Sequence, residues 1–111
     1  KAVQENTRVI FAESLGNPKL DVLDLKAISK VAKANKIPFV VDNTVATPYL
    51  LNPILHGADI VIHSLTKYIT GNGTSLGGVI IDAGKFDWTN GKFPEFTALR
   101  VRLMLFKLFK V

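Results

Sequence analysis

At 111 residues and 48% hydrophobic, the chain has the size of one ordinary domain and enough apolar character to expect strands buried on both faces. It holds no cysteine, which excludes a disulfide framework, thiolate metal sites and cysteine nucleophiles together. The net charge of +5 is not spread as a nucleic-acid-binding face would be: residues 1–97 hold 10 Lys+Arg against 9 Asp+Glu, and the excess comes from Arg100, Arg102, Lys107 and Lys110.

The first strand is expected at Arg8-Val-Ile-Phe11, a β-branched and aromatic run, followed by a loop over Ser14-Leu-Gly-Asn-Pro18. Asp24 is placed to cap a helix with Leu25, Ile28, Val31 and Ala32 on its apolar face and Lys26, Lys30 and Lys33 toward water. Asn35 and Lys36 suit its end, and Pro38 forbids continuation. Phe39-Val-Val41 reads as a second buried strand closed by Asp42 and Asn43. Asn52-Pro-Ile-Leu-His56 reads as a short helix stopped by Gly57. Ile60-Val-Ile-His63 and Gly78-Val-Ile-Ile81 are the third and fourth strands, joined by a glycine-rich connection from Gly71 to Gly78. Alternating strands and helices predict an α/β protein with a mostly parallel sheet and crossover helices. No apolar run reaches the ~20 residues that span a bilayer, and no signal peptide is evident, so no membrane association is expected. Beginning at Lys1 rather than at methionine, the sequence reads as an intracellular fragment.

Ligands of such sheets collect at the carboxyl ends of the strands. There the sequence places Glu13 after the first strand, Asp42 after the second, and Ser64, Thr66 and Lys67 after the third. A carboxylate and an amine from neighbouring strand ends could serve several chemistries; pyridoxal phosphate is one, needing a lysine for its aldehyde, a carboxylate for its ring nitrogen and donors for its phosphate. Plainer readings exist for each residue. Asp42 can cap the following turn, Ser64 and Thr66 can bond local backbone, and Glu13 and Asn17 lie in a loop that needs no function.

Other motifs fail on context. Ser64-x-x-Lys67 lacks the companion elements of the penicillin-recognising enzymes, and Gly71-Asn-Gly-Thr-Ser-Leu76 has leucine where a dinucleotide fingerprint needs its third glycine. His56 and His63 are too far apart for a helical metal pair and no suitable third ligand is apparent, so no metal site is expected and both read as structural histidines. Asn72-Gly-Thr74 matches a glycosylation sequon without other signs of secretion.

Three segments carry a resemblance: Ser64-Leu-Thr-Lys-Tyr68, Asp42-Asn-Thr-Val-Ala-Thr-Pro48 and Glu13-Ser-Leu-Gly-Asn-Pro18. In that order and at those intervals they resemble the pyridoxal-phosphate enzymes of cysteine and methionine metabolism. Gly84-Lys-Phe-Asp-Trp88 and Gly91-Lys-Phe-Pro-Glu-Phe-Thr97 most resemble the O-acetylhomoserine sulfhydrylase branch. The resemblance covers residues 1–97 and implies part of the large domain of a fold-type I transferase, with the strand after the lysine antiparallel. It implies that Lys67 forms the Schiff base, Asp42 pairs with the ring nitrogen, and Ser64 and Thr66 contact the phosphate. Glu13 and Asn17 would lie in the loop beneath the ring, with Asn17 near the ring hydroxyl.

The implied reaction is γ-replacement on O-acetylhomoserine by sulfide or a thiol, giving homocysteine or methionine, in a cytoplasmic homo-oligomer (a tetramer by resemblance). A γ-lyase or γ-synthase of the same family is the nearest rival; a non-catalytic truncated remnant with a surface-binding tail is the rival from another class. Residues 98–111 do not follow the family and read as an unrelated basic apolar tail. The family's ring-stacking tyrosine, further phosphate donors and substrate-carboxylate arginine come from segments outside this sequence, so the isolated chain is expected to be inactive.

Overall fold

A computed structural model describes residues 2–97; the tail expected over 98–111 lies outside them. Four strands, β1 (Ile10–Glu13), β2 (Phe39–Asp42), β3 (Ile60–Ser64) and β4 (Gly78–Asp82), form one sheet in the order β1-β2-β3-β4. β1, β2 and β3 are mutually parallel, and β4 returns antiparallel beside β3, as the resemblance implied. β1 starts two residues later than the sequence indicated. Arg8 instead turns to the Lys92 carbonyl and lies 5.9 Å over the Phe93 ring. The other strands each run one residue further at their carboxyl ends.

Helix α1 (Leu25–Ala34) crosses from β1 to β2. Asp24 caps it by accepting from the Ala27 N–H at 2.9 Å, as expected, and Lys26, Lys30 and Lys33 face water. Its buried stripe is Leu25, Ser29 and Ala32, with Ile28 half-buried. Val31, expected inward, is exposed, because a residue six after Leu25 sits about 240° around the helix, off that stripe. Ser29 takes the inward place and donates to the Gly57 carbonyl at 2.9 Å.

Two short elements join β2 to β3: helix α2 (Thr47–Leu50), which sequence patterning did not reveal, and a 3₁₀ turn at Pro53–His56 ended by left-handed Gly57. A wide turn at Leu65–Ile69, closed by the Thr70 N–H on the Leu65 carbonyl, leads out of β3. Helix α3 (Pro94–Thr97) is the last described element.

The core joins Leu25, Ala32, Ile37 and Ala58 to Phe39, Val41 and Val61, which all project from one sheet face. On the opposite face lie Phe11, Val40, Ile60 and Ile80, given the register Phe11↔Val40↔Ile60 and Ile62↔Ile80. The expectation of strands buried on both faces holds only for β2. Phe11 is 57% and Ile80 72% exposed, because the core-forming helix α1 packs on the first face. At the amino ends of the strands, Phe86, Trp88, Phe93 and Phe96 form an edge-to-face cluster with centroids 4.7–6.2 Å apart. Asn90 ties this segment to the Lys36 carbonyl at 3.1 Å.

Gly57 has φ +96°, and a Cβ there would lie 2.3 Å from Ser29 Oγ. Gly57→Ala should therefore cost about 2–3 kcal/mol, from the left-handed backbone and the disturbed Ser29 bond. Urea denaturation of both proteins measures this; an unchanged midpoint would show that α1 shifts freely against the turn.

Candidate functional site

The carboxyl ends of β1, β2 and β3 open into one cleft of about 480 Å³. Glu13 and Asn17 reach it from the end of β1, Asp42 and Thr44 from β2, and Ser64 and Lys67 from β3. Leu15, Leu20, Val45 and Tyr68 supply its apolar and aromatic lining. A cleft of this volume, mostly apolar with a few converging polar groups, is of the kind that holds small ligands.

Asp42 is fixed by Thr44. The Thr44 N–H and hydroxyl both donate to Asp42 Oδ1, at 2.9 and 2.6 Å, and the Ser64 N–H donates to the Thr44 hydroxyl at 2.8 Å. Both bonds to the carboxylate fall on Oδ1, so among the described residues Oδ2 is left to the cleft. The turn-capping reading of Asp42 is thus true of one oxygen and does not compete with a role for the other. Lys67 sits inside the wide turn after β3 with φ −88° and ψ −109°, so its backbone leaves helical geometry where its side chain enters the cleft.

Glu13 accepts from the Asn17 N–H at 2.9 Å, which folds the loop back over the strand end. Its carboxylate holds Asn17 in place, and the Asn17 side chain lines the cleft. Thr66 is placed differently from the other candidates: it is absent from the lining, and its hydroxyl accepts from the Gly77 N–H at 3.0 Å and donates to the Gly77 carbonyl at 3.3 Å. The cleft thus gathers Glu13, Asn17, Asp42, Ser64 and Lys67, while Thr66 pins the glycine-rich connection to the lysine turn.

Beneath the cleft lies a buried polar layer, of which sequence reading anticipated only His63, as a structural histidine. Ser14, Asn43 and His63 are each at most 2% exposed. Ser14 donates to Asn43 Oδ1 at 2.7 Å, and Asn43 Nδ2 donates to the Thr47 and Leu51 carbonyls at 3.0 and 2.8 Å. His63 Nδ1 lies 3.1 Å from the Asn43 carbonyl, which can only accept, so Nδ1 carries the hydrogen. Thr44 was also missed; its position two residues after Asp42, where a hydroxyl can close a local turn, is the signal that would have found it. Among the described residues no group of three His, Cys, Asp or Glu could hold a metal ion, and no helix is long and apolar enough to cross a membrane.

A three-strand parallel edge presenting a carboxylate and an amine to a common cleft defines an α/β enzyme-type site. Residues 1–97 match the family model of Cys/Met metabolism PLP-dependent enzymes, and the chain belongs to that family. It is 62% identical over 97 residues to an O-acetyl-L-homoserine sulfhydrylase of Leptospira meyeri, covering 87% of this chain and 22% of that one. Among solved structures, it is 47% identical, with a TM-score of 0.74, to a Campylobacter jejuni protein described as an O-acetylhomoserine (thiol)-lyase and carrying N'-pyridoxyl-lysine-5'-monophosphate. That match covers 77% of this chain and 21% of the other. A cystathionine gamma-lyase of Lactobacillus plantarum complexed with L-serine matches at 37% identity and a TM-score of 0.70, over 73% of this chain and 21% of that one. The chain thus spans about a fifth of the length of the relatives it matches.

Thr44→Val keeps the shape of the side chain but removes the hydroxyl that joins Asp42 to β3. The Ser64 N–H then loses its acceptor in a partly buried place, at a cost of about 2–3 kcal/mol. Thr44→Ser should recover most of that in thermal unfolding; equal losses in both variants would assign the effect to packing of the methyl group.

Proposed function

We propose that this chain is the cofactor-anchoring part of a pyridoxal-phosphate transferase that performs γ-replacement on an O-acylated homoserine, with sulfide or a thiol as the incoming group. The observation that carries the reading is the delivery of Asp42 Oδ2 and Lys67 to one cleft from adjacent strand ends. The donor set fits the cofactor. Lys67 Nζ would hold its aldehyde covalently, Asp42 Oδ2 would face the ring nitrogen, Ser64 would meet the phosphate, and Asn17 the ring hydroxyl. Thr66 would join the phosphate contacts by giving up its long 3.3 Å bond to the Gly77 carbonyl. Bound pyridoxal phosphate supplies an electron sink for negative charge developing on the substrate.

The chain's own residues would do three things. Asp42 keeps a proton on the ring nitrogen, because an anionic oxygen beside it favours the charged form. Lys67 Nζ, besides holding the cofactor, would be the group placed to move protons at the substrate carbons. Leu15 and Val45, both half-buried, give the cleft wall apolar surface that keeps water from part of the site. The sulfhydrylase reading is preferred to a γ-lyase because the sulfhydrylase-type relatives match at higher identity. A cytoplasmic homo-oligomeric parent belongs to the same proposal; Tyr49 and Leu50, 92% and 73% exposed, are the kind of apolar surface that further protein covers.

Treating the chain with pyridoxal phosphate and then borohydride should place the adduct on Lys67 in a peptide map, and Lys67→Ala should abolish that adduct. An adduct spread evenly over the lysines would favour a non-catalytic remnant. Sulfide-dependent homocysteine formation by the isolated chain should be undetectable, since losing substrate positioning forfeits about 7–11 kcal/mol of barrier lowering; sustained, Lys67-dependent turnover would show the site complete as it stands.

A further inference from the structure

Each strand end in the cleft shows the same alternation. Glu13, Asp42 and Ser64 face the cleft, and their neighbours Ser14, Asn43 and His63 are turned into the interior and buried. The three inward residues meet at one side chain. Asn43, fully buried, accepts from Ser14 on Oδ1, donates from Nδ2 to Thr47 and Leu51, and receives His63 on its carbonyl, while its N–H donates to the Ile62 carbonyl at 2.9 Å. Every donor of this residue, and both its oxygens, is used, and the partners belong to β1, β3 and α2 as well as its own loop.

The loop it controls is held in an unfavourable shape. Thr47 has φ 59°, a left-handed backbone that a β-branched residue rarely adopts. It is clamped there from both sides: its N–H donates to the Asn43 carbonyl at 2.9 Å and its carbonyl accepts from Asn43 Nδ2 at 3.0 Å. Between these anchors lie Thr44, which fixes Asp42 Oδ1 and the Ser64 N–H, and Val45, which lines the cleft. Strain in a loop persists only where the surroundings over-determine it, and such loops gather at functional sites.

We propose that Asn43 is a positioning residue of the site: its buried amide sets the relative placement of Glu13, Asp42 and Ser64, and so the direction in which Asp42 Oδ2 meets a bound cofactor. This rests on the pyridoxal-phosphate reading for its chemical meaning but not for its geometry. Asn43 touches neither substrate nor cofactor and acts through Asp42, Thr44 and the neighbouring strand ends. Asn43→Asp is the informative variant, because it keeps the volume and the acceptor for Ser14 while turning the two Nδ2 donors into an oxygen facing the Thr47 and Leu51 carbonyls. Ser29→Ala is the matched control: it removes an equally buried hydroxyl that bonds the Gly57 carbonyl, in a part of the fold that does not line the cleft.

The experiment records backbone amide NMR shifts of the 111-residue chain and, separately, the yield of borohydride-trapped pyridoxyl adduct on Lys67. Asn43→Asp should move the amides of Glu13, Thr44, Ser64 and Lys67 and cut the Lys67 adduct by about tenfold or more, as expected when reacting groups shift by a fraction of an ångström. Ser29→Ala should lower the unfolding midpoint and leave both readouts unchanged. The proposal is overturned if the cleft amides stay in place in Asn43→Asp, or if Ser29→Ala disturbs them equally. Should Asn43→Asp fail to fold, Ser14→Ala, which deletes only the 2.7 Å bond to Oδ1, is judged on the same amides. If the unmodified chain forms no selective Lys67 adduct, the cofactor reading fails on that result alone, and the amide shifts still decide the positioning role.

Discussion

A parallel sheet has to end somewhere, and its last residues bring main-chain polar groups and functional side chains to the same edge. Here that edge is held by the Asn43 amide. Removing it would strand the Ser14 hydroxyl and the Thr47 and Leu51 carbonyls together, at about 1–3 kcal/mol for each group left unpaired in a buried place. Against a total stability of about 5–15 kcal/mol for a folded domain, that is a large fraction resting on one side chain. The ladder continues through the same place, since the Ser14 N–H reaches the Asp42 carbonyl and the Asn43 N–H reaches the Ile62 carbonyl, each at 2.9 Å. The strand ends therefore cannot slide independently.

The two ends of the sheet solve opposite problems. At the amino ends, Phe86, Trp88 and Phe93 close over the chain with aromatic edges and faces and Arg8 lies against Phe93, so burial there is mainly aromatic, and a smaller cleft of about 330 Å³ lies between Phe86 and Lys36, Asp59 and Lys85. At the carboxyl ends, burial is polar, and each inward hydrogen bond leaves the preceding or following residue pointing outward. A strand of period two makes that pairing obligatory: if Ser14, Asn43 and His63 point in, then Glu13, Asp42 and Ser64 point out. The cleft is the outer half of the same alternation that builds the buried layer.

How much of this could be read from the sequence follows the range of the interactions involved. The strands and α1 were legible because hydrophobic runs, Asp24 and Gly57 act within a few residues of themselves. That Asp42 and Lys67 line one cleft was legible because each follows a strand of a parallel sheet, at the end where ligands collect. Val31 was misplaced because counting apolar residues ignores which i, i+3, i+4 stripe the sheet selects, and Ser29, a polar residue, completes that stripe through a bond to distant Gly57. Thr66 was read as equivalent to Ser64 by its neighbourhood, whereas Gly77, eleven residues on, takes up its hydroxyl. Of the layer of Ser14, Asn43 and His63 only the histidine's structural place was legible; the layer's bonds span up to 29 residues and leave no periodic trace. Helix α2 has one turn, starts on a left-handed Thr47 and is braced by Asn43, which holds its first carbonyl and that of Leu51 just after its end, so no local propensity could announce it.

The open parts of the structure fall where a site of this kind needs other chain. Asp42 and Lys67 both enter the cleft from one side, and among the described residues its walls are the ends of β1 to β3 and the loops that follow them. A bound cofactor ring has two faces, and a substrate needs its own carboxylate held; neither can be supplied from a single sheet edge. The same side of the molecule shows apolar strand residues, Phe11 and Ile80, that an isolated sheet would leave in water at about 25 cal/mol for each Å² not covered. With the chain spanning about a fifth of its relatives' length, the uncovered sheet face and the half-walled cleft have a common explanation. Asp42 lies on the same sheet face as Phe11 and Ile80, so anything that covered that face would also limit water around Asp42. Cover on that face would lower the dielectric around the bonds that join Asp42, Thr44 and Ser64, and a hydrogen bond gains electrostatic strength as its surroundings become less polar.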